Sequence, residues 1–182
     1  MSSSYRTAYR SVEIVTGPAF WPSLGWTLAC VLAQTTLVPY AAFRGAVPSL
    51  PLIAVVLYAS RVGARRGALL GIIVGALEDI FAGTGGAWTL STTLIALAVG
   101  GLSRRTFVDG AFLPGVLCAL AMLVRDLMFW SVMRLEGYPP GFAVAHVHNA
   151  GWRALLTALA AFVFLTIRGR LVVDKTTIQR FP

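Results

Sequence analysis

The sequence predicts an all-α, polytopic membrane protein of six transmembrane helices. Three observations predict it. Hydrophobic residues make up 57% of the chain and charged residues 12%, about half the charged content of an ordinary globular domain. The apolar residues gather in six blocks. A bilayer-crossing helix needs about 20 mostly apolar residues, so six spans and their connections use nearly all of the 182 residues. Finally, the cations stand at the ends of these blocks, where cytoplasmic loops of membrane proteins collect Lys and Arg.

Residues 1–23 read as a cytoplasmic segment with Arg6 and Arg10, closed by Phe20, Trp21 and Trp26 around Pro22. Such aromatics anchor a helix at the membrane interface. A single six-helix domain then covers 24–170, and 171–182 form a cytoplasmic tail. The first span is expected at 24–43, ending before Arg44. The second, at 47–60, opens with Pro48 and Pro51, and proline is tolerated in a helix's first turn. The third runs over 67–82 and breaks at Gly83-Thr84-Gly85-Gly86. The fourth covers 87–103 and stops at Arg104-Arg105; the fifth covers 110–133 and stops at Arg134. Gly137, Pro139, Pro140 and Gly141 mark 135–151 as a turn-rich connection. The sixth span covers 152–168 and ends at Arg168 and Arg170.

Counting cations orients the bundle. With the N-terminus inside, the inner segments hold eleven: Arg6, Arg10, Arg61, Arg65, Arg66, Arg104, Arg105, Arg168, Arg170, Lys175 and Arg180. The outer segments hold three, Arg44, Arg134 and Arg153. That bias puts both ends in the cytoplasm. It also accounts for the net charge of +8 without nucleic acid, since no basic face exists apart from the helix ends.

Four residues break the apolar pattern: Glu78 and Asp79 in the third span, Arg125 and Asp126 in the fifth. A charge at membrane depth costs about 2.5–3.5 kcal/mol on insertion scales and marks a functional position by default. Asp79 lies 13 residues past Arg66 and Arg125 lies 15 past Gly110, about 20 and 22 Å along their helices. Both fall in the outer part of a core about 30 Å thick, so Arg125 is placed to pair with Glu78 or with Asp79. Neighbouring residues point about 100° apart, so one arginine does not readily serve both. The surplus negative charge has to be protonated, wetted, or met by Arg134, Arg153 or a partner. The cluster reads as an ion pair that fixes helix registry, as a partner contact, or as a proton-handling site, with the partner contact favoured over the last.

Gly67, Gly71, Gly75 and Asp79 recur every four residues, a ridge of small residues that lets another helix approach closely. Gln34, Thr35 and Thr36 in the first span are candidates for hydrogen bonds to a neighbouring helix. His146 and His148 are the only histidines. A zinc site takes three or four protein ligands, and no cysteine is near, so no metal or cofactor is expected. Cys30 and Cys118 lie inside apolar runs as packing residues. No nucleophile sits beside a base with an orienting acid, so no catalytic residue is assigned.

The order of these features resembles the bacterial rod shape-determining protein family MreD. The residues that carry the likeness are Gln34-Thr35-Thr36-Leu37, the proline that opens the second span, Ala64-Arg65-Arg66-Gly67, Gly71, Gly75, Glu78-Asp79-Ile80-Phe81, the glycine turn, and Gly100-Gly101-Leu102-Ser103-Arg104-Arg105. Asp79 matches the family aspartate. The likeness is best over 30–105 and looser in the last two spans. One departure is that Ser49 and Leu50 stand where the family often has an aspartate. The resemblance implies a non-enzymatic membrane scaffold subunit of the cell-elongation machinery. Its implied partners are the membrane-anchored protein MreC, the RodA glycosyltransferase with its penicillin-binding transpeptidase, and, indirectly, the MreB filament. It also implies a fold like the substrate-binding subunits of energy-coupling-factor transporters. A vitamin-type transporter subunit is therefore the competing function, with a pocket lined by Glu78, Asp79 and Arg125.

Overall fold

The computed structural model describes residues 19–102 and 112–178. The N-terminal arginines, Arg104, Arg105 and the last four residues lie outside the described residues. What is described is helical throughout: α1 (Phe20–Thr36), a short 3-10 turn (Val38–Ala41), α2 (Leu50–Val62), α3 (Ala64–Ala82), α4 (Ala87–Leu102), α5 (Phe112–Leu135) and α6 (Pro140–Ile178).

The expected spans find their helices with shifted ends. The first stops at Thr36, earlier than 43, and the chain tightens into the 3-10 turn at Val38–Ala41. Pro39 lacks an N–H to continue the ladder. The last helix starts at Pro140, twelve residues before the expected 152. Pro140 occupies the first helical position, where its fixed φ suits a helix start, and Gly141 sits inside the helix. The turn therefore shrinks to Glu136–Pro139, with Gly137 at φ 88°. His146 and His148 consequently lie on α6, where His148 is exposed.

Helix α2 is the centre of the bundle. It contacts α1, α3, α4, α5 and α6, and Leu52, Ile53, Val55, Val56, Tyr58 and Ala59 are all buried. A helix apolar on every side belongs inside others. Helices α3 and α4 form the most extensive pair, followed by α5 with α6. Gly83 ends α3 in the left-handed conformation (φ 67°), its N–H donating to the Asp79 carbonyl at 2.7 Å. Only glycine takes that φ at no cost.

The exterior differs from that of a water-soluble bundle, and several polar groups share the interior with the apolar core. Arg125, Asp126, Ser91, Thr92 and Thr157 are inside, whereas Leu94, Leu97, Leu120, Leu123, Leu127, Leu155 and Leu159 face out. An apolar exterior of that extent marks contact with lipid or protein rather than water. Two segments, Phe112–Leu135 and Val147–Ile167, are long and apolar enough to cross a membrane by themselves. Helices α2 and α4 are apolar but short. Helix α3 has 19 residues but carries Arg65, Arg66, Glu78 and Asp79.

Candidate functional site

The four charged residues of the spans do not form one cluster around one arginine; the structure separates them into three arrangements. Arg125 is 2% exposed and reaches from α5 to Glu78 on α3 in a direct ion pair. Its second terminal nitrogen donates to Ser49 Oγ at 3.2 Å, at the entrance to α2. The guanidinium lies over the Trp88 ring, 4.4 Å from its centroid, and Trp88 stacks on Phe129 with centroids 3.9 Å apart. One side chain thus ties α5 to α3, α4 and the start of α2. A guanidinium suits this role: it offers five donors in a plane and stacks on aromatic faces.

Asp79 has a different occupation. Its Oδ1 accepts from the Thr84 hydroxyl at 2.6 Å and the Trp88 N–H at 3.0 Å. Its Oδ2 accepts from the Thr89 N–H at 2.7 Å and the Thr89 hydroxyl at 2.5 Å. Trp88 and Thr89 belong to the first turn of α4, whose N–H groups have no partner within the helix. Asp79 therefore caps α4 from the end of α3, with its negative charge at the positive end of the helix dipole. The 100° offset between neighbours decides the division of labour: Glu78 turns toward α5 and Asp79 toward α4.

Asp126, also 2% exposed, faces α6, where the Arg153 guanidinium donates to both carboxylate oxygens at 3.2 and 3.4 Å. The sequence placed Arg153 at the outer edge of its span. The early start of α6 carries it inside the helix and opposite Asp126. Thr157, one turn on, donates to the Arg153 carbonyl at 2.7 Å and accepts from the Ser49 N–H at 3.1 Å. Ser49 thereby links the two ion pairs. The sequence singled out neither Ser49 nor Thr157 as a network member. Their signal was the polar residue just after Pro48 and the lone hydroxyl in an apolar stretch.

Gln34 accepts from the Leu50 N–H through Oε1 at 2.9 Å, joining α1 to the start of α2. Thr35 and Thr36 are exposed and donate to the Leu32 carbonyl of their own helix at 3.0 and 2.8 Å. The intrahelical bond costs them no neighbour, because a hydroxyl on a helix reaches the carbonyl three or four residues back.

The glycine ridge is covered from within the chain. A Cβ at Gly75 would stand 2.5 Å from Thr89 Cα and 2.8 Å from the Trp88 carbonyl oxygen. At Gly71 it would meet the Thr92 carbonyl at 3.1 Å, and at Gly67 the Ala59 Cβ at 2.5 Å. Gly71 and Gly75 thus let α3 lie backbone-to-backbone on α4, which puts Asp79 within reach of the α4 amides, and Gly67 lets α3 close on α2. Among the described residues no group of three His, Cys, Asp or Glu side chains could hold a metal ion. A cavity of about 760 Å³ lies elsewhere, between α1, α2 and α6, and none of Glu78, Asp79, Arg125 or Asp126 lines it.

A family model described as rod shape-determining protein MreD matches residues 19–175. No curated protein matches the chain. No solved structure matches it either, so the implied likeness to transporter substrate-binding subunits gains no support.

Proposed function

This chain belongs to the MreD family of rod shape-determining membrane proteins, and from that premise we propose that it is a non-enzymatic scaffold subunit of the cell-elongation machinery. In this reading it crosses the membrane six times with both ends in the cytoplasm. It organises peptidoglycan synthesis with an MreC-like protein, and with RodA and its penicillin-binding transpeptidase directly or through that protein. The MreB filament acts on it indirectly.

The family match over residues 19–175 carries the proposal. The charge arrangement is consistent with it. Glu78 and Asp126 meet arginines, and Asp79 meets helix-end amides and hydroxyls, so the costly groups are matched by the bundle's own helices. Such pairs fix registry between helices, which a scaffold needs. With the ridge already occupied by α2 and α4, partner helices have to use the outward faces of the bundle. The leucines of α5 and α6 give a surface on which packing can associate helices in lipid.

Removing the protein from its host tests the reading. Rods are expected to round up, and a tagged copy is expected to retain the MreC-like protein through purification. Unchanged rods, with no retention of that protein, would overturn it.

A further inference from the structure

The cavity between α1, α2 and α6 is a groove along the side of the bundle. It is lined by apolar and small side chains, among them Trp26, Cys30, Ala54 and Phe164. Trp26 and Phe164 stack across it with centroids 6.2 Å apart. Two polar groups share one end. Arg61 stands in the last turn of α2 and lines the groove. Tyr58, one turn before it, also lines the groove, is 5% exposed, and its hydroxyl has no hydrogen-bond partner among the described residues. Arg65 and Arg66 lie exposed just beyond, on α3.

The groove's size limits what fits. The groove holds about 760 Å³ and is open along the side of the bundle, so a spanning helix of about 20 residues would lie for the most part outside it. A flexible hydrocarbon chain, thin along its whole length, is the better match. Polarity limits the headgroup. Apart from Ser23 and Thr27, whose hydroxyls donate to the Ala19 and Ser23 carbonyls, the lining is apolar except at the end where arginines concentrate, the end that the cation bias assigns to the cytoplasmic surface. Anionic phosphate there meets a guanidinium that can bind it through two hydrogen bonds, and brings an acceptor oxygen to the end that holds the Tyr58 hydroxyl.

We propose that this groove is a binding site for one anionic phospholipid, its acyl chain lying between α1, α2 and α6 and its phosphate held at Arg61 and Tyr58. The site is independent of the charged pairs of α3, α5 and α6. A second copy of the chain or a partner helix is the other kind of occupant, and the test separates them.

The full-length protein, purified in mild detergent, is mixed with equal amounts of phosphatidylglycerol and phosphatidylcholine, and retained lipid is counted by native mass spectrometry. Phosphatidylglycerol is expected to be retained about tenfold over phosphatidylcholine, a free-energy difference of about 1.4 kcal/mol. Arg61→Gln should abolish the preference, Tyr58→Phe should weaken it, and Ala54→Trp, which fills the groove, should remove the retained lipid itself. Arg65→Gln, at the same end but outside the lining, should leave the preference intact. Each variant is checked for an unchanged melting temperature; Tyr58→Phe, which keeps the ring, serves if Ala54→Trp does not fold. Equal retention of the two lipids, an effect of Arg65→Gln equal to that of Arg61→Gln, or a co-purifying protein or second copy displaced by Ala54→Trp would each overturn the proposal.

Discussion

Asp79→Ala removes the acceptor that holds α3 and α4 together at their shared end. Four donors lose their partner: the N–H groups of Trp88 and Thr89 and the hydroxyls of Thr84 and Thr89. The hydroxyls can turn to other acceptors. The two amides cannot, because the helix fixes their direction. Loss of a capping side chain costs about 0.5–2 kcal/mol, and a buried donor left unsatisfied costs about 1–3 kcal/mol. A total of about 3 kcal/mol follows for the pair. Asp79→Asn keeps one oxygen in place and loses the second acceptor and the charge, which is about 1–2 kcal/mol from one hydrogen bond and the helix dipole. At about 2–4 °C per kcal/mol for a chain of this size, the melting temperature should fall by about 6–12 °C for alanine and by about 2–8 °C for asparagine. The assay is thermal unfolding in detergent followed by tryptophan fluorescence, with Trp88 itself inside the affected region. If alanine melts with the wild type, or if asparagine is as damaging as alanine, the capping role is wrong. The second outcome would instead point to a role carried by the charge alone.

Gly75→Ala should destabilise by about 1–3 kcal/mol, the range for overpacking, because the new methyl meets α4 backbone at Thr89 rather than a side chain that can turn away. The same melting assay checks it, and a neutral result would mean the two helices are not in that contact. With the native cysteines replaced, single cysteines introduced at Arg44 and at Arg61 should react with an impermeant thiol reagent from opposite sides of the membrane; labelling from one side would contradict the six-span topology.

Much of the fold was legible because its signals are local. Apolar blocks, the Gly83–Gly86 turn and the basic helix ends placed five of the six helices to within a few residues of their observed starts. The exception was α6. Pro139-Pro140-Gly141 reads as a turn by composition, yet Pro140 at a first helical position is equally a start signal, and only packing against α5 decides between them. That choice carried a consequence for the site. With α6 starting at 152, Arg153 stood at its outer edge; with α6 starting at Pro140, it sits inside the helix opposite Asp126. Which of Glu78 and Asp79 faces Arg125 was not legible, because adjacent residues differ only in direction and direction depends on where α4 and α5 stand. The capping role of Asp79 had a signal in Thr84 and Thr89, the polar residues within and just after the glycine turn, but its geometry depends on the close approach that Gly71 and Gly75 permit. Thr35 and Thr36 show the opposite limit. Their residue type suits an interhelical bond, but they point outward and bond within α1.

The central claim is that the two neighbouring carboxylates of α3 have separate partners, Glu78 the arginine of α5 and Asp79 the amides of α4. Exchanging charges tests it most directly. Glu78→Arg and Arg125→Glu should each destabilise strongly, by about 3–5 kcal/mol as expected when one member of a buried pair is lost. The double exchange should recover a coupling of about 0.5–3 kcal/mol in the melting assay, together with rod shape in cells. The corresponding exchange of Asp79 with Arg125 should recover nothing. Rescue by the Asp79 exchange and none by the Glu78 exchange would contradict the account.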